Sequence, residues 1–359
     1  MYPRLFEIPF IHVTIHSFGP IMVFGFLMGL FLVRRLSRRV GLDPAMMANA
    51  ALYSLIIGVV GARAFFVVHY FDQFRGNLLG VVATWRGGLE FLGGMIPATG
   101  FLLFYLRRHK LPIRRYLDIM AIGLMMGLAF GRIGCFLNGC CFGKPTDLPW
   151  GIRFPYRSFV YISQINPNPK RARSEPYVRL PQVEYLSSFG EHGKWYPKPL
   201  RELTEQQQYE VTRGRYRCHP VHPSQLYASA NALLLCGILY MFWCRNSGRR
   251  NSNTHGVHPG RPGLTVGLMF VLYGLSRFLL EFTRDDNPYE FGILTISQIG
   301  GIVMFVLGVV LLIVLPSIKP DMSDRGSANN ETEGLCLTDD VPNKPLESDP
   351  TALLRKAKQ

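Results

Sequence analysis

Long apolar runs alternate with short polar segments along most of this chain. Seven of the runs approach the roughly 20 residues that a helix needs to cross the hydrocarbon core of a bilayer. Several contain glycine, which is frequent in membrane helices. The predicted spans are Ile15–Leu32, Met46–Tyr70, Leu89–Tyr105, Leu117–Leu137, Ser224–Trp243, Pro262–Phe282 and Leu294–Leu315. The pattern therefore predicts an all-α polytopic membrane protein with seven transmembrane helices.

Composition agrees with this class, because 48% of the 359 residues are hydrophobic and only 18% are charged. Residues 139–221, between spans four and five, are rich in Pro, Arg, Tyr and Gln, and we expect them to form an extracytoplasmic cap. Residues 317–359 are polar and predict a disordered cytoplasmic tail. The expected organisation is helices one to four in 1–138, the cap in 139–221, helices five to seven in 222–316, and the tail in 317–359.

Basic residues are unevenly distributed among the short loops. Those that follow or end spans one, three and five are Arg34, Arg35, Arg38, Arg39, Arg107, Arg108, Lys110, Arg114, Arg115, Arg245, Arg249, Arg250 and Arg261. The loops after spans two and six contain only Arg75, Arg86 and Arg284. Positive charge marks cytoplasmic loops, so the N-terminus is predicted outside and the C-terminus inside. We attribute the net charge of +15 to this anchoring and to anionic lipids, and predict no nucleic-acid partner.

The seven cysteines are an odd number, which does not indicate a disulfide framework. Cys135, Cys140 and Cys141 cluster near the predicted outer end of span four. No His or Cys pair at zinc-site spacing accompanies them, so packing is favoured and no metal is predicted. A disulfide from Cys140 or Cys141 to Cys218 remains open.

A polar stripe crosses the sixth predicted span. Tyr273, Arg277 and Glu281 follow one another at intervals of four residues, so they share one helix face. Ionisable residues at membrane depth are costly and typically face a site or a water-filled cavity. On the predicted topology, Arg63 and Arg132 lie at the same outer depth. One interpretation is an arginine–glutamate pair that only holds the helices together. A binding site for an anionic lipid headgroup is favoured, because guanidinium groups match phosphate with paired donors.

Three segments carry a family resemblance, namely Gly131–Gly143, His222–Tyr227 and Tyr273–Arg284, with weaker similarity at Gly19–Gly29, Gly61–Arg63 and Trp85–Gly94. Together and in this order they resemble the bacterial prolipoprotein diacylglyceryl transferases. The resemblance implies a seven-helix enzyme of the cell inner membrane. Such an enzyme transfers the diacylglyceryl group of phosphatidylglycerol to the lipobox cysteine thiol of a prolipoprotein signal peptide, forming a thioether and releasing glycerol phosphate. The resemblance implies that no cofactor is needed and that membrane lipids are further partners.

The resemblance also implies roles for individual residues. The catalytic positions would be Arg277, Glu281 and Tyr273. The phosphatidylglycerol-binding positions would be Arg132, Asn138, Gly143, Arg63, Gln225 and Tyr227.

The chain departs from the family pattern at three positions. Leu92 stands where many members have a histidine that has been proposed as the base, Phe24 replaces a tyrosine, and Ala228 replaces an acidic residue. Glu281, Glu90 or the phosphate of the substrate could accept the thiol proton instead. Two other interpretations stay open: a transporter or flippase for an anionic lipid, and a catalytically inactive lipid-binding relative.

Overall fold

The computed structural model describes residues 4–8, 13–16, 18–74, 78–82, 88, 90–189, 194–247, 261–290 and 292–318. Its α-helices are α1 (Phe18–Arg39), α2 (Pro44–His69), α3 (Leu78–Val82), α4 (Phe91–Arg108), α5 (Ile113–Asn138), α6 (Phe159–Ile165), α7 (Gln182–Tyr185), α8 (Glu205–Thr212), α9 (Ser224–Ser247), α10 (Leu264–Leu280) and α11 (Ile296–Val314). Two antiparallel hairpins pair β1 (Arg4–Ile8) with β2 (Val13–His16), and β3 (Leu186–Phe189) with β4 (Trp195–Pro197).

Within these described residues, six helices are long and apolar enough to cross a membrane: α1, α2, α5, α9, α10 and α11. The prediction of a polytopic helical membrane protein is thereby confirmed. The third predicted span corresponds to α4, which has 18 residues and contains Pro97, and it is not among these six. Its crossing of the membrane stays a prediction.

The start of the first span was predicted too early. Ile15 and His16 belong to β2, which pairs with β1, and α1 begins at Phe18. The β-branched residues Val13, Thr14 and Ile15 favour extended backbone over helix, which explains the shift.

Helix α5 occupies the centre of the bundle and packs between α1 and α9, with Ile119, Ile122 and Leu239 fully buried. Its Asp118 carboxylate also caps a neighbouring helix. The backbone N–H groups of Gly263 and Val266 donate to it over 2.6 and 2.8 Å, so it satisfies donors at the start of α10. These bonds fix α10 against α5.

Glycines allow α11 to approach α10 closely. A Cβ on Gly308 would lie 2.6 Å from the backbone nitrogen of Val271, and one on Gly301 would lie 2.9 Å from the carbonyl oxygen of Gly274. Small residues at such crossings are typical of helix packing in membranes. The opposite side of α11 exposes Val303, Val306 and other aliphatic side chains, as a lipid-facing surface requires.

Residues 139–223 are here called the connecting region, and its described part, 139–189 and 194–223, contains α6, α7, α8 and the β3–β4 hairpin. They enclose two small apolar clusters, one around Tyr161 and Val221 and the other around Tyr185 and Val211. The region joins the end of α5 to the start of α9. Its predicted extracytoplasmic position is not tested by the fold. Of the predicted tail, residues 317–359, only Ser317 and Ile318 are described, and Ser317 is the last residue of a short 3₁₀ helix. Residues 319–359 lie outside the described residues, as do Arg75, Arg86, Arg249, Arg250 and Cys336.

Candidate functional site

A cavity lies where the end of α5, the start of α9 and the end of α10 meet the connecting region. Its empty space, including the open mouth, is ≈ 370 Å³. Three guanidinium groups line it, those of Arg132, Arg277 and Arg284. The other polar or thiol-bearing lining residues are Cys141, Ser224, Gln225, Asn231 and Tyr273, and the apolar ones are Leu128, Ala228 and Leu280. A half-open apolar space with converging cations is suited to the headgroup of an anionic lipid.

Glu281 lies behind the cavity wall and holds the wall in place. Its Oε2 is 2.8 Å from Nη1 of Arg277, one turn earlier on α10. On its other side, Oε1 is 3.3 Å from Nη2 of Arg171 and accepts a 2.7 Å hydrogen bond from Nδ2 of Asn287. The carboxylate is only 1% exposed, and its cationic neighbours compensate the cost of burying its charge.

Arg284 is held by a two-point contact. Its Nε and Nη2 donate to the two carboxylate oxygens of Asp286 over 2.9 and 2.7 Å. Burial alone would lower the pKa of Arg284, but the hydrogen bonds and charge of Asp286 outweigh burial and raise the pKa above its ordinary value. Arg284 is therefore a permanent cation in the cavity wall.

Arg132 differs from the other two cavity arginines. No carboxylate of the described residues forms an ion pair with it, and the hydrogen bond of its Nη1 goes to the sulfur of Cys141 at 3.8 Å. Its side chain is half-buried one and a half turns before the end of α5. A guanidinium in this setting retains donors and charge for an anion entering the cavity.

Three thiols lie beside Arg132. The sulfur atoms of Cys135, Cys140 and Cys141 are all within 4.8 Å of one another, although packing was the interpretation favoured from the sequence. The six described cysteines are unpaired, so no disulfide joins this cluster to Cys218. Burial raises the pKa of Cys218 to about 11, which keeps it an unreactive thiol.

The family model of the prolipoprotein diacylglyceryl transferases matches residues 3–314. The chain belongs to this family. Among its relatives are three proteins named phosphatidylglycerol–prolipoprotein diacylglyceryl transferase. The one from Synechococcus elongatus is 28% identical, and the alignment covers 90% of this chain and 90% of the relative. Those from Rhodospirillum rubrum and Stenotrophomonas maltophilia are 28% and 27% identical, covering 89% and 86% of this chain and 93% and 92% of the relatives.

In this diacylglyceryl transferase, one cavity is lined by four of the predicted site residues: Arg132, Gln225, Tyr273 and Arg277. A fifth, Glu281, lies immediately behind the cavity wall. The other predicted positions lie around this group.

Gly143, Asn138 and Tyr227 lie near the cavity without lining it. A Cβ on Gly143 would lie 2.5 Å from the carbonyl oxygen of His222 and 2.8 Å from that of Thr283, so glycine lets three backbone segments meet. Asn138 is the last residue of α5, and the Tyr227 hydroxyl accepts a 2.7 Å hydrogen bond from Trp150.

Arg63 is not brought into the cavity. Its guanidinium donates to the carbonyl oxygens of Gly80, Val81 and Gly88 over 2.5, 2.9 and 2.9 Å. The same group lies 5.4 Å from the ring centre of Phe66. These contacts fasten the segment before α4 onto α2, which is a structural role.

The three departures from the family pattern fall in different places. Ala228 lines the cavity, whereas Phe24 packs edge-on against Phe130 with ring centres 5.0 Å apart. Leu92 is 52% exposed near the start of α4. Glu90, one of the alternative bases, lies 2.7 Å from Nδ1 of His69 and does not line the cavity.

Sequence reasoning missed Arg284, Ser224, Asn231 and Arg171 as parts of the site. The run Asp285-Asp286-Asn287 directly after the span could have indicated that the nearby arginines are held by acidic and amide groups. No sequence signal connects Arg171 with Glu281, because 110 residues separate them.

Proposed function

We propose that this protein transfers the diacylglyceryl group of phosphatidylglycerol to a prolipoprotein cysteine thiol, forming a thioether and releasing glycerol phosphate. The observation that carries the proposal is a cavity between apolar helices with three guanidinium groups, of which Arg132 has no carboxylate partner among the described residues. Membership of the diacylglyceryl transferase family supports it, and the names of the relatives specify both substrates.

The chemistry requires stabilisation of a leaving phosphate. The thiolate sulfur attacks the glyceryl carbon, the carbon–oxygen bond breaks, and its electron pair stays on the phosphate oxygen. Arg132 and Arg277 would clamp this phosphate from α5 and α10, with Arg284 adding a third positive charge. Cations already fixed in a low-dielectric site stabilise developing negative charge without reorganisation cost.

The neighbouring residues supply orientation. Tyr273, which lines the cavity, would donate its hydroxyl to the phosphate. Gln225 donates to the carbonyl oxygen of Cys140 over 2.7 Å, while its own carbonyl oxygen, buried in the cavity wall, has no hydrogen-bond partner among the described residues. A hydroxyl group of the lipid headgroup would satisfy that oxygen. Glu281 would act as a positioning residue that fixes Arg277.

The proposed setting is the bacterial inner membrane. The N-terminus would be outside and the C-terminus cytoplasmic, with α4 completing seven crossings and the connecting region covering the outer end of the bundle. The distribution of basic residues among the loops supports this orientation. The cavity would then lie at the outer leaflet, where the lipobox cysteine of a signal peptide can reach it.

The two alternative interpretations receive less support. A transporter would hold its polar site near the midplane, whereas the helical lining residues of the cavity come from the halves of α5, α9 and α10 that adjoin the connecting region. An inactive relative would be consistent with the departures at Leu92, Phe24 and Ala228, but of these three only Ala228 lines the cavity.

The test is a product assay with the purified protein in phosphatidylglycerol-containing nanodiscs and a lipobox peptide. Mass spectrometry should detect peptide with a thioether-linked diacylglyceryl group, and an equal amount of glycerol phosphate should be released. A peptide with serine in place of the lipobox cysteine and nanodiscs of phosphatidylcholine alone are the matched controls. A folded sample that yields no modified peptide would overturn the proposal.

A further inference from the structure

The chain reverses direction at the end of α5 and thereby gathers three cysteines. Gly139 has a left-handed backbone, with φ of 79°, and its N–H donates to the carbonyl oxygen of Cys135 over 2.9 Å. The N–H of Cys140 donates to the same oxygen over 3.2 Å. This glycine-dependent helix ending folds Cys140 and Cys141 back over the last turn, beside Cys135.

Cys141 is held in an uncommon conformation. Its backbone φ of 59° lies in the left-handed region, which residues other than glycine rarely adopt. Such strain is maintained only where the surrounding structure imposes it, and it is concentrated at functional sites. Here it accompanies a cysteine that lines the cavity.

The three sulfur atoms approach the geometry of a metal site. Thiolates bound tetrahedrally to zinc at about 2.3 Å are roughly 3.8 Å apart. The observed sulfurs lie within 4.8 Å of one another, so small side-chain rotations would close the remaining gap. All three cysteines are half-buried, and Cys141 lines the cavity, so the cluster adjoins it.

The charges around the cluster suit a bound cation with three thiolates. One Zn²⁺ with three thiolates carries a net charge of about −1. Arg132 donates to the sulfur of Cys141 over 3.8 Å, and Arg284 lines the same cavity. Such hydrogen bonding from a neighbouring residue orients metal ligands and tunes the metal. The surroundings would therefore neutralise the charged site.

We propose that Cys135, Cys140 and Cys141 bind Zn²⁺ and that its open fourth position takes the acceptor thiol. This inference rests on the proposed transferase function and supplies it with a means of activating the thiol. Three protein ligands and one open position are the arrangement of catalytic rather than structural zinc sites. The acceptor thiol loses its proton to water on binding the metal, because a coordinated thiol is deprotonated outright.

The rest of the reaction then balances without another reagent. The metal-bound sulfur forms the bond to the glyceryl carbon, and the electron pair of the broken carbon–oxygen bond leaves with glycerol phosphate. The thioether product is a neutral and weaker ligand than a thiolate, so it leaves the metal. Cys141 is not itself an acceptor on the pathway, because a thioether formed on it would not pass its alkyl group to another thiol.

Metal binding is tested independently of turnover. The purified protein, kept reduced with a phosphine, is titrated with Zn²⁺ and with Co²⁺, whose visible spectrum reports tetrahedral thiolate ligation. We expect one ion per chain, and at least tenfold weaker binding after Cys135→Ser, Cys140→Ser or Cys141→Ser. Cys244→Ser, on α9 and outside the cavity lining, is the matched control and should bind like the wild type. Unsaturable binding, or equal affinity in all variants, would overturn the site.

Two further measurements test the role of the metal. A lipobox peptide should shift the Co²⁺ spectrum, whereas its serine counterpart should not. A chelator should lower turnover at least tenfold, and Zn²⁺ should restore it. Full turnover in the chelated protein would overturn the metal's role and leave the transferase function standing. A Co²⁺ spectrum that responds to the peptide in a protein without turnover would support the site and overturn the transferase function.

Discussion

Each of the three cavity arginines has a different electrostatic surrounding, and this difference assigns their roles. Arg277 is paired with Glu281, and Arg284 is paired with Asp286 through two hydrogen bonds. Arg132 has no carboxylate partner among the described residues. Arg277 and Arg284 are therefore held in position by carboxylates of the protein, whereas the charge of Arg132 is available to a bound substrate anion.

Glu281→Gln should lower both stability and turnover. The substitution keeps the shape of the side chain but leaves Arg171 and Arg277 without their shared counter-charge. Removing one partner of a buried ion pair costs about 3–5 kcal/mol. The melting temperature in detergent and the rate of peptide modification are the measurements. Glu175→Gln is the control, because its pair with Arg179 is exposed and contributes little. Equal melting temperatures for the two variants would contradict the positioning role of Glu281.

The sequence predicted this part of the site only along one helix. Four-residue spacing placed Tyr273, Arg277 and Glu281 on one face, and the structure shows Arg277 and Glu281 paired. Arg171 could not be predicted, because a polar connecting region carries no periodicity that assigns a side chain to a distant partner. Arg63 has the same residue type and predicted depth as Arg132, so only its contacts with backbone carbonyl groups separate the two.

At the scale of elements, the position of α10 decides the geometry of the cavity. The helix carries two of the polar lining residues, Tyr273 and Arg277, and it packs against α11 through glycine. A Cβ on Gly274 would lie 2.6 Å from both the carbonyl oxygen of Gly301 and the nitrogen of Phe305. Both obstructing atoms are backbone atoms, which cannot rotate away.

Gly274→Ala should therefore separate α10 from α11 and reduce turnover together with the melting temperature. Gly300→Ala adds the same methyl group where nothing lies within 4 Å, and alanine is the better helix former, so no loss is expected. Both variants are compared with the wild type in the thermal and product assays. If the two variants have the same melting temperature and turnover, the packing of α10 against α11 does not determine the geometry of the cavity.

Apolar length predicted six of the spans well, because membrane helices need little beyond hydrophobicity and length. The helix α4 is harder to assign, since it has 18 residues, an internal proline and two arginines in its last turn. The β1–β2 hairpin was missed because its strands are only five and four residues long. Short strands give too few alternating positions to be distinguished from the start of an apolar helix.

At the scale of the whole molecule, the connecting region completes the site that the helices begin. The N–H of Lys144 donates to the carbonyl oxygen of Thr283 over 2.8 Å, directly beyond α10. Arg173 forms a 2.9 Å ion pair with Asp285, and Arg171 reaches Glu281. The region thus fastens the end of α10 as well as connecting α5 to α9, so site and connecting region form one unit.

Labelling in intact cells tests the proposed orientation. Val183→Cys places a thiol on α7 of the connecting region, where the side chain is 88% exposed, and it should react with a membrane-impermeant maleimide. Arg108→Cys, at the exposed end of α4, should react only after the cells are lysed. The wild type measures the background of native cysteines. The reverse labelling pattern would place the cavity on the cytoplasmic side and contradict the proposed orientation.

The most direct test of the whole account is the turnover of Arg132→Ala with phosphatidylglycerol and a lipobox peptide. We expect a loss of about 10²–10³-fold, as for removal of a preorganised charge stabiliser, without a change in melting temperature, because no described carboxylate depends on Arg132. Arg39→Ala is the control: Arg39 ends α1 and donates to the Tyr240 hydroxyl over 2.8 Å, outside the cavity lining, so turnover should persist. Wild-type turnover in Arg132→Ala would contradict the assignment of this cavity as the phosphate site.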